Sequence, residues 1–265
     1  MAGILCVQIN SEQGDKSENL KKTDLLMEQS SNKKLDLVLF PEFFSTSIAY
    51  QSEPEPENGG FVIEHVCELA KKYHTNIVAG TIVRKAGDKY FNTSFAINRQ
   101  GEVVAKYDKI HLYNFMGGNE GAFTSAGNEI VTVDFDFAKV GMAICFDVRY
   151  PLHFNKLIKE KVDIITLPTA WLVPAEVYRY NLDYAREMWV SMNRTRAYDN
   201  MVYFAVCNQT GKVNDDLYGI GSSMIISPTA EVLAKIDNGE GVIYSDIEVS
   251  NVDFMRQIFP IAKID

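Results

Sequence analysis

The stretch "MAICFDVRYP", residues 142 to 151, carries an apolar run into a cysteine and then changes to aspartate, arginine and proline. Cys145 is therefore expected to end the buried strand "KVGMAIC", and the carboxyl ends of strands are where open α/β sheets place their ligands. A free cysteine in an apolar strand is ordinarily core packing, and Cys6, Cys67 and Cys207 are assigned that role. Cys145 differs in its neighbours. Two other charged residues occupy comparable positions: Glu42 follows the run "LDLVLFP", and Lys109 lies in "KYDKIHLY" just past the strand "EVVAKY".

A thiol nucleophile needs a proton acceptor and a donor for the oxyanion it creates. A carboxylate serves as base once its surroundings bring its pKa toward neutrality, and an ammonium near the sulfur favours thiolate and steadies the oxyanion. Histidine is the usual alternative. His65 and His74 fall within or just after a helical pattern, whereas His111 and His153 lie in the segments that hold Lys109 and Cys145. A Cys–His dyad of the peptidase or acyltransferase kind requires His111 or His153 beside Cys145. No HxxxH or CxxC pair is present, so spacing suggests neither a zinc site nor a disulfide framework.

The elements that must position these groups alternate between two periods. "GILCVQIN", "SENLKKTDLLMEQSS" and "LDLVLFPE" read as strand, helix, strand; "GGFVIEHVCELAKKY" is a second helix leading to the strand "NIVAGTIV". "GDKYFNTSFAINRQGEVVAKY" alternates apolar and polar residues around Gly87-Asp88 and Gln100-Gly101, as hairpins do. The second half repeats the scheme with "EIVTVDF", "KVGMAIC", "VDIITLP", a helix from about Leu182 to Tyr198, and the strands "MVYFAVCN", "GSSMIIS", "EVLAKI" and "GVIYSDI". Such alternation builds a layered α/β structure. Three long stretches break it, "PEFFSTSIAYQSEPEPENGG", "KYDKIHLYNFMGGNEGAFTSAGNE" and "PTAWLVPAEVYRY"; long loops in compact domains often line active sites.

The 265 residues, 46% hydrophobic and 23% charged, suit one domain spanning 1–265. A net charge of -9 repels nucleic acid and anionic membrane, and no stretch approaches a membrane span or a signal peptide. A cytoplasmic location is expected, with four reduced cysteines.

Taken together, "FPEFF", "KIHLY" and "AICFDVRYP", in that order, with "NRTRAYDNMVYFAVCNQTG" and "GIGSSMIISPTAEVL" beyond them, resemble the nitrilase or carbon–nitrogen hydrolase superfamily. The likeness covers nearly the whole chain. It implies a four-layer αββα sandwich and a Glu-Lys-Cys triad that hydrolyses non-peptide C–N bonds without metal or organic cofactor. Carried over, Cys145 is the nucleophile, Glu42 the general base and Lys109 the oxyanion stabiliser, helped by the backbone N–H of Phe146. Glu120 matches the second glutamate of many members.

Cys145-Phe146-Asp147 resembles the amidase side of the superfamily, since nitrilases commonly carry Cys-Trp-Glu. Arg149 matches an arginine of ω-amidase-like and carbamoylase-like motifs and suits a substrate carboxylate; the alternative is a structural pair with Asp147 or Asp163. Phe146, Arg149, Trp171 and Tyr113 are the expected substrate contacts. Leu152, where the ω-amidase-like pattern has Glu, and the long segment after Pro168 are departures. The expected activity is hydrolysis of a small carboxylate-bearing ω-amide, against a carbamoyl or nitrile substrate or a catalytically silent small-molecule binder. The resemblance further implies a homodimer or larger homo-oligomer, with the tail "NVDFMRQIFPIAKID" as a candidate exchanged segment.

Overall fold

The computed structural model describes residues 1–51 and 53–260. The chain runs through β1 (Ala2–Gln8), α1 (Lys16–Glu28), β2 (Leu37–Leu39), α2 (Gly60–Tyr73), β3 (Asn76–Val78), β4 (Ile82–Ala86), β5 (Lys89–Ile97) and β6 (Val103–Asp108). There follow β7 (Val131–Asp134), β8 (Lys139–Met142), α3 (Pro151–Lys159), β9 (Ile164–Thr169), β10 (Leu172–Pro174), α4 (Ala175–Tyr180) and α5 (Leu182–Asn200). The last elements are β11 (Tyr203–Asn208), β12 (Thr210–Lys212), β13 (Leu217–Ile220), β14 (Ser223–Ile226), β15 (Val232–Ile236), β16 (Gly241–Ile247) and α6 (Ser250–Ile258).

One sheet has the order β16-β1-β2-β3-β5-β4, with β6 also paired to β5; the other has the order β15-β14-β11-β9-β8-β7. In the first, β1, β2 and β3 are parallel, and in the second β8, β9 and β11 are. The period-2 alternation of a strand sends its side chains to two different cores. Ile4, Cys6, Leu37 and Leu39 pack in the core shared with the second sheet, while Leu5, Val7, Val38 and Phe40 pack with Leu20, Val62, Val66 and Leu69 of α1 and α2. Strands covered on both faces read as unbroken apolar runs, as these do. On the far side, Leu157 of α3 and Val162 crowd the position where Gly141 of β8 would carry a Cβ. The result is the expected αββα sandwich.

Two segments differ from the sequence expectation. "NIVAGTIV" is two strands, not one: Gly80, at φ +49, breaks it, and a Cβ there would lie 2.1 Å from the Pro41 carbonyl oxygen. The break lets the segment after β2 dock, because Thr81 N–H donates to Pro41 O and its hydroxyl accepts from Phe43 N–H. "PTAWLVPAEVYRY" is not an irregular loop either. It forms the end of β9, then β10 and α4, and β10 joins β13 and β12 in a small third sheet.

Candidate active site

The parallel strands of both sheets end at the same edge, and the candidate residues are on the segments that leave it. Glu42 follows β2, and its own N–H bonds to the Thr169 carbonyl at the end of β9. Lys109 follows β6, with its N–H on the Asn92 carbonyl. Cys145 does not end a strand as expected: β8 stops at Met142, and Cys145 opens a 3₁₀ turn over Cys145–Arg149. Its φ is +44, in the left-handed region that a side chain rarely adopts. Such strain persists only where the surroundings fix it, and it concentrates at functional sites.

The structure brings Glu42, Lys109, Cys145 and Glu120 together. All four are buried, Glu42 and Lys109 at 2% exposure and Cys145 at 7%. Lys109 Nζ donates to Glu42 Oε1 at 2.9 Å and to Glu120 Oε2 at 2.8 Å. Asn92 Nδ2 donates to the same two side chains, Glu42 Oε1 at 2.9 Å and Glu120 Oε1 at 2.8 Å. Glu42 Oε2 accepts from Ala170 N–H at 2.9 Å, and Glu120 Oε2 from Tyr113 N–H at 2.8 Å. Two carboxylates thus share one ammonium and one amide.

The thiol of Cys145 lies beside Glu42, near enough for the carboxylate to act on it. Burial pushes that thiol well above its ordinary range and the Glu42 charge adds to the rise, while Lys109 and the Ala170 N–H pull the other way. Burial opposes the charge on Lys109, but Glu42 and Glu120 overcome it and hold the ammonium well above its usual pKa. A protonated thiol beside a carboxylate, with a permanent cation at hand, is the starting state for base-assisted attack rather than a preformed thiolate.

Neither histidine is the thiol's partner. His111 Nδ1 lies 2.6 Å from Asp147 Oδ1 and its ring stacks on Tyr150, while His153 packs against His111 and Tyr107. Asp147 also accepts from Tyr107 OH at 2.7 Å, Ile144 N–H at 2.8 Å and His111 N–H at 3.1 Å. Burial raises the Asp147 carboxyl, but the hydrogen bonds from His111 and Tyr107 and the positive field of His153 leave it below its usual range. This carboxylate ties the turn after Cys145 to the segment after Lys109.

The expected substrate contacts separate. Tyr113 and Phe146 lie edge to face at 5.2 Å, and Tyr113 lies near enough to Cys145 to interact with a thiolate formed there. Phe146 is second in the turn, where a helix leaves its N–H without an acceptor of its own. Trp171, next to Ala170, packs on Trp189 of α5 at 4.6 Å. Arg149 is exposed and pairs with neither carboxylate proposed for it: Asp147 is held as described, and Asp163 pairs with Arg256. Its positive charge acts on Arg196 of α5.

Asn92 is the residue that sequence reasoning missed. Asparagine is depleted in strands, so a buried one in "KYFNTSF" was a signal. The N–H of Ala170, like any backbone donor, left none.

A sequence model of the family described as carbon-nitrogen hydrolase matches residues 4–257. A Bacillus subtilis protein named 2-oxoglutaramate amidase is 31% identical over 261 residues, covering 97% of this chain and 95% of that one. The omega-amidase NIT3 of Saccharomyces cerevisiae is 26% identical, covering 98% of this chain and 91% of its own. Among solved structures, Saccharomyces cerevisiae Nit3, of branch 10 of the nitrilase superfamily, superposes with a TM-score of 0.84 at 24% identity over 99% of this chain and 96% of that one. A glutamate-to-glutamine variant of an amidase from Nesterenkonia sp. AN1, with acrylamide added to its active-site cysteine, gives 0.80 at 18% identity over 98% of each chain. The chain belongs to the carbon–nitrogen hydrolase family and is an amidase-type hydrolase.

Proposed function

We propose that the protein hydrolyses a small carboxylate-bearing ω-amide to the acid and ammonia through a thioester on Cys145. The observation that carries this is the buried Cys145 thiol beside Glu42, with Lys109 bridging Glu42 and Glu120. Glu42 takes the thiol proton as sulfur bonds to the amide carbon, and the carbonyl electrons move to oxygen. Lys109 and the Phe146 N–H hold that oxyanion. On collapse the C–N bond breaks and Glu42 returns the proton to the leaving nitrogen, releasing ammonia. Glu42 then deprotonates water, which attacks the thioester; the C–S bond breaks and the thiol is reprotonated. Glu120 touches no reacting atom in this scheme and positions Lys109.

The acidic substrate is inferred from the relatives' names, 2-oxoglutaramate amidase and omega-amidase, and from the exposed Arg149 on the turn that follows the nucleophile, whose charge adds to that of Arg196 of α5. Ammonia release is to be measured from ω-amido acids, neutral amides, carbamoyl amino acids and nitriles. The ω-amido acids should give the largest kcat/KM. Arg149→Met should raise KM for them ~10-fold or more, the loss of a charge-assisted hydrogen bond, with neutral amides unaffected. Equal turnover of neutral amides and an unchanged KM would remove the carboxylate from the proposal, and preference for a carbamoyl or nitrile compound would replace it.

Three coarser features complete the reading. Residues 1–265 act as one domain, supported by the pairing of β1 with β16 and by a core drawn from both halves. A cytoplasmic location accords with four free cysteines, and among the described residues no helix is long and apolar enough to cross a membrane. Self-association as a homodimer or larger homo-oligomer is supported by Phe254, Ile258 and Phe259, which α6 and the residue after it leave exposed. Residues 261–265 of that tail lie outside the described residues.

A further inference from the structure

We propose that His111, Asp147 and His153 form a binding site for a divalent transition cation of the zinc class, distinct from the Cys145 centre and not part of the proposed hydrolysis. Their spacing of 36 and 6 residues matches no ligand motif, so only the fold assembles them. Each offers one ligand atom, and these atoms all lie within 4.8 Å of one another. Two imidazoles and one carboxylate, with a position left for water, are a donor set that suits Zn²⁺.

An independent observation points the same way. His153 is almost wholly buried, and its Nε2 has no hydrogen-bond partner among the described residues. A buried polar atom without a partner carries a desolvation cost that a ligand would remove. The carboxylate is already oriented: Tyr107 OH and Ile144 N–H hold Asp147 Oδ2, which leaves Oδ1 toward His111. Such outer hydrogen bonds are what fix the ligands of metal sites. A cavity of about 700 Å³, lined by His111, His153, Glu129 and Lys156 among others, gives an entry path.

The 2.6 Å between His111 Nδ1 and Asp147 Oδ1 is a hydrogen bond, too short for two ligands of one tetrahedral ion. With metal–ligand distances of about 2.0–2.2 Å the two atoms stand ~3.3 Å apart. The cation therefore replaces the shared proton, which leaves to solvent, and the side chains part by less than ~1 Å.

The test uses Cys145→Ala protein, so that the reactive thiol cannot supply a ligand, titrated with Zn²⁺ by calorimetry and with Co²⁺ by visible absorption. One equivalent should bind, with the Co²⁺ bands of nitrogen and oxygen ligands and no sulfur charge transfer. Adding His153→Phe, which keeps an aromatic ring against Tyr107, should weaken binding at least ~10-fold, and His111→Phe should do the same. His65→Gln, which removes the His65–Asp24 pair at 2.8 Å, should leave binding unchanged. Equal affinity in the His153 variant, a thiolate spectrum in the parent, or no saturable binding would each overturn the proposal. The Co²⁺ spectrum of the parent decides even if both histidine variants unfold.

Discussion

Asn92 gives both protons of its amide to carboxylates, one to Glu42 and one to Glu120, and so allows two negative groups to sit on either side of a single ammonium. Hydrogen bonds to charged groups contribute about 1.5–3 kcal/mol each. Asn92→Leu should therefore lower kcat by ~10-fold or more with a smaller change in KM, since the lost contacts aim the base and not the substrate. An unchanged kcat would mean that Lys109 alone suffices. A second prediction follows from what acts on the thiol. Burial and Glu42 both raise it and Lys109 lowers it, so Glu42→Gln removes one upward cause and leaves the downward one. That variant should lose turnover by ~10²-fold or more yet react with iodoacetamide at pH 7 faster than the wild type, because its thiolate fraction is larger. Slower alkylation would contradict the account of the thiol. Position just past a strand marked Glu42, Lys109 and Cys145 only as candidates, and the resemblance of the ordered motifs to a family gave them their roles. Asn92 sits in mid-strand, and the Ala170 N–H is common to every residue, so neither is marked by a pattern.

At the scale of elements, the segment after β2 reaches the second sheet because β3 and β4 part at Gly80. A side chain there would meet the Pro41 carbonyl oxygen and occupy φ +49. Gly80→Ala should cost roughly 1–3 kcal/mol from backbone strain alone, a fall in Tm of about 2–4 °C per kcal/mol for a chain of this size. It should also reduce kcat, since Pro41 adjoins Glu42. Thermal melting and ammonia release check the two effects, and a loss of stability without a loss of rate would uncouple the glycine from the site. The apolar run of "NIVAGTIV" concealed this break, for a period-2 pattern does not register a glycine whose purpose is close approach. Hairpins at Gly87 and Gly101 were legible because their turn residues separate two alternating runs. "PTAWLVPAEVYRY" was not, because β10 is only three residues long and acquires its pairing from β13, far along the chain.

For the whole molecule, the two halves each contribute parallel strands whose carboxyl ends face one edge, and the site exists only where the sheets stack. Glu42 and Lys109 come from segments after the first sheet, Cys145 and Ala170 from segments after the second. The sandwich itself was implied by resemblance, since alternation of elements gives layers but not their number. The exposed aromatic tail yields a prediction at this scale: Phe254→Glu with Phe259→Glu should lower the mass measured by light scattering, and an unchanged mass would place self-association elsewhere. The central claim is covalent. Protein mixed with an ω-amido acid, quenched in acid during turnover and digested, should carry the acyl mass on the peptide that contains Cys145. Turnover with that peptide unmodified at every time, or with the acyl mass on another residue, would contradict it.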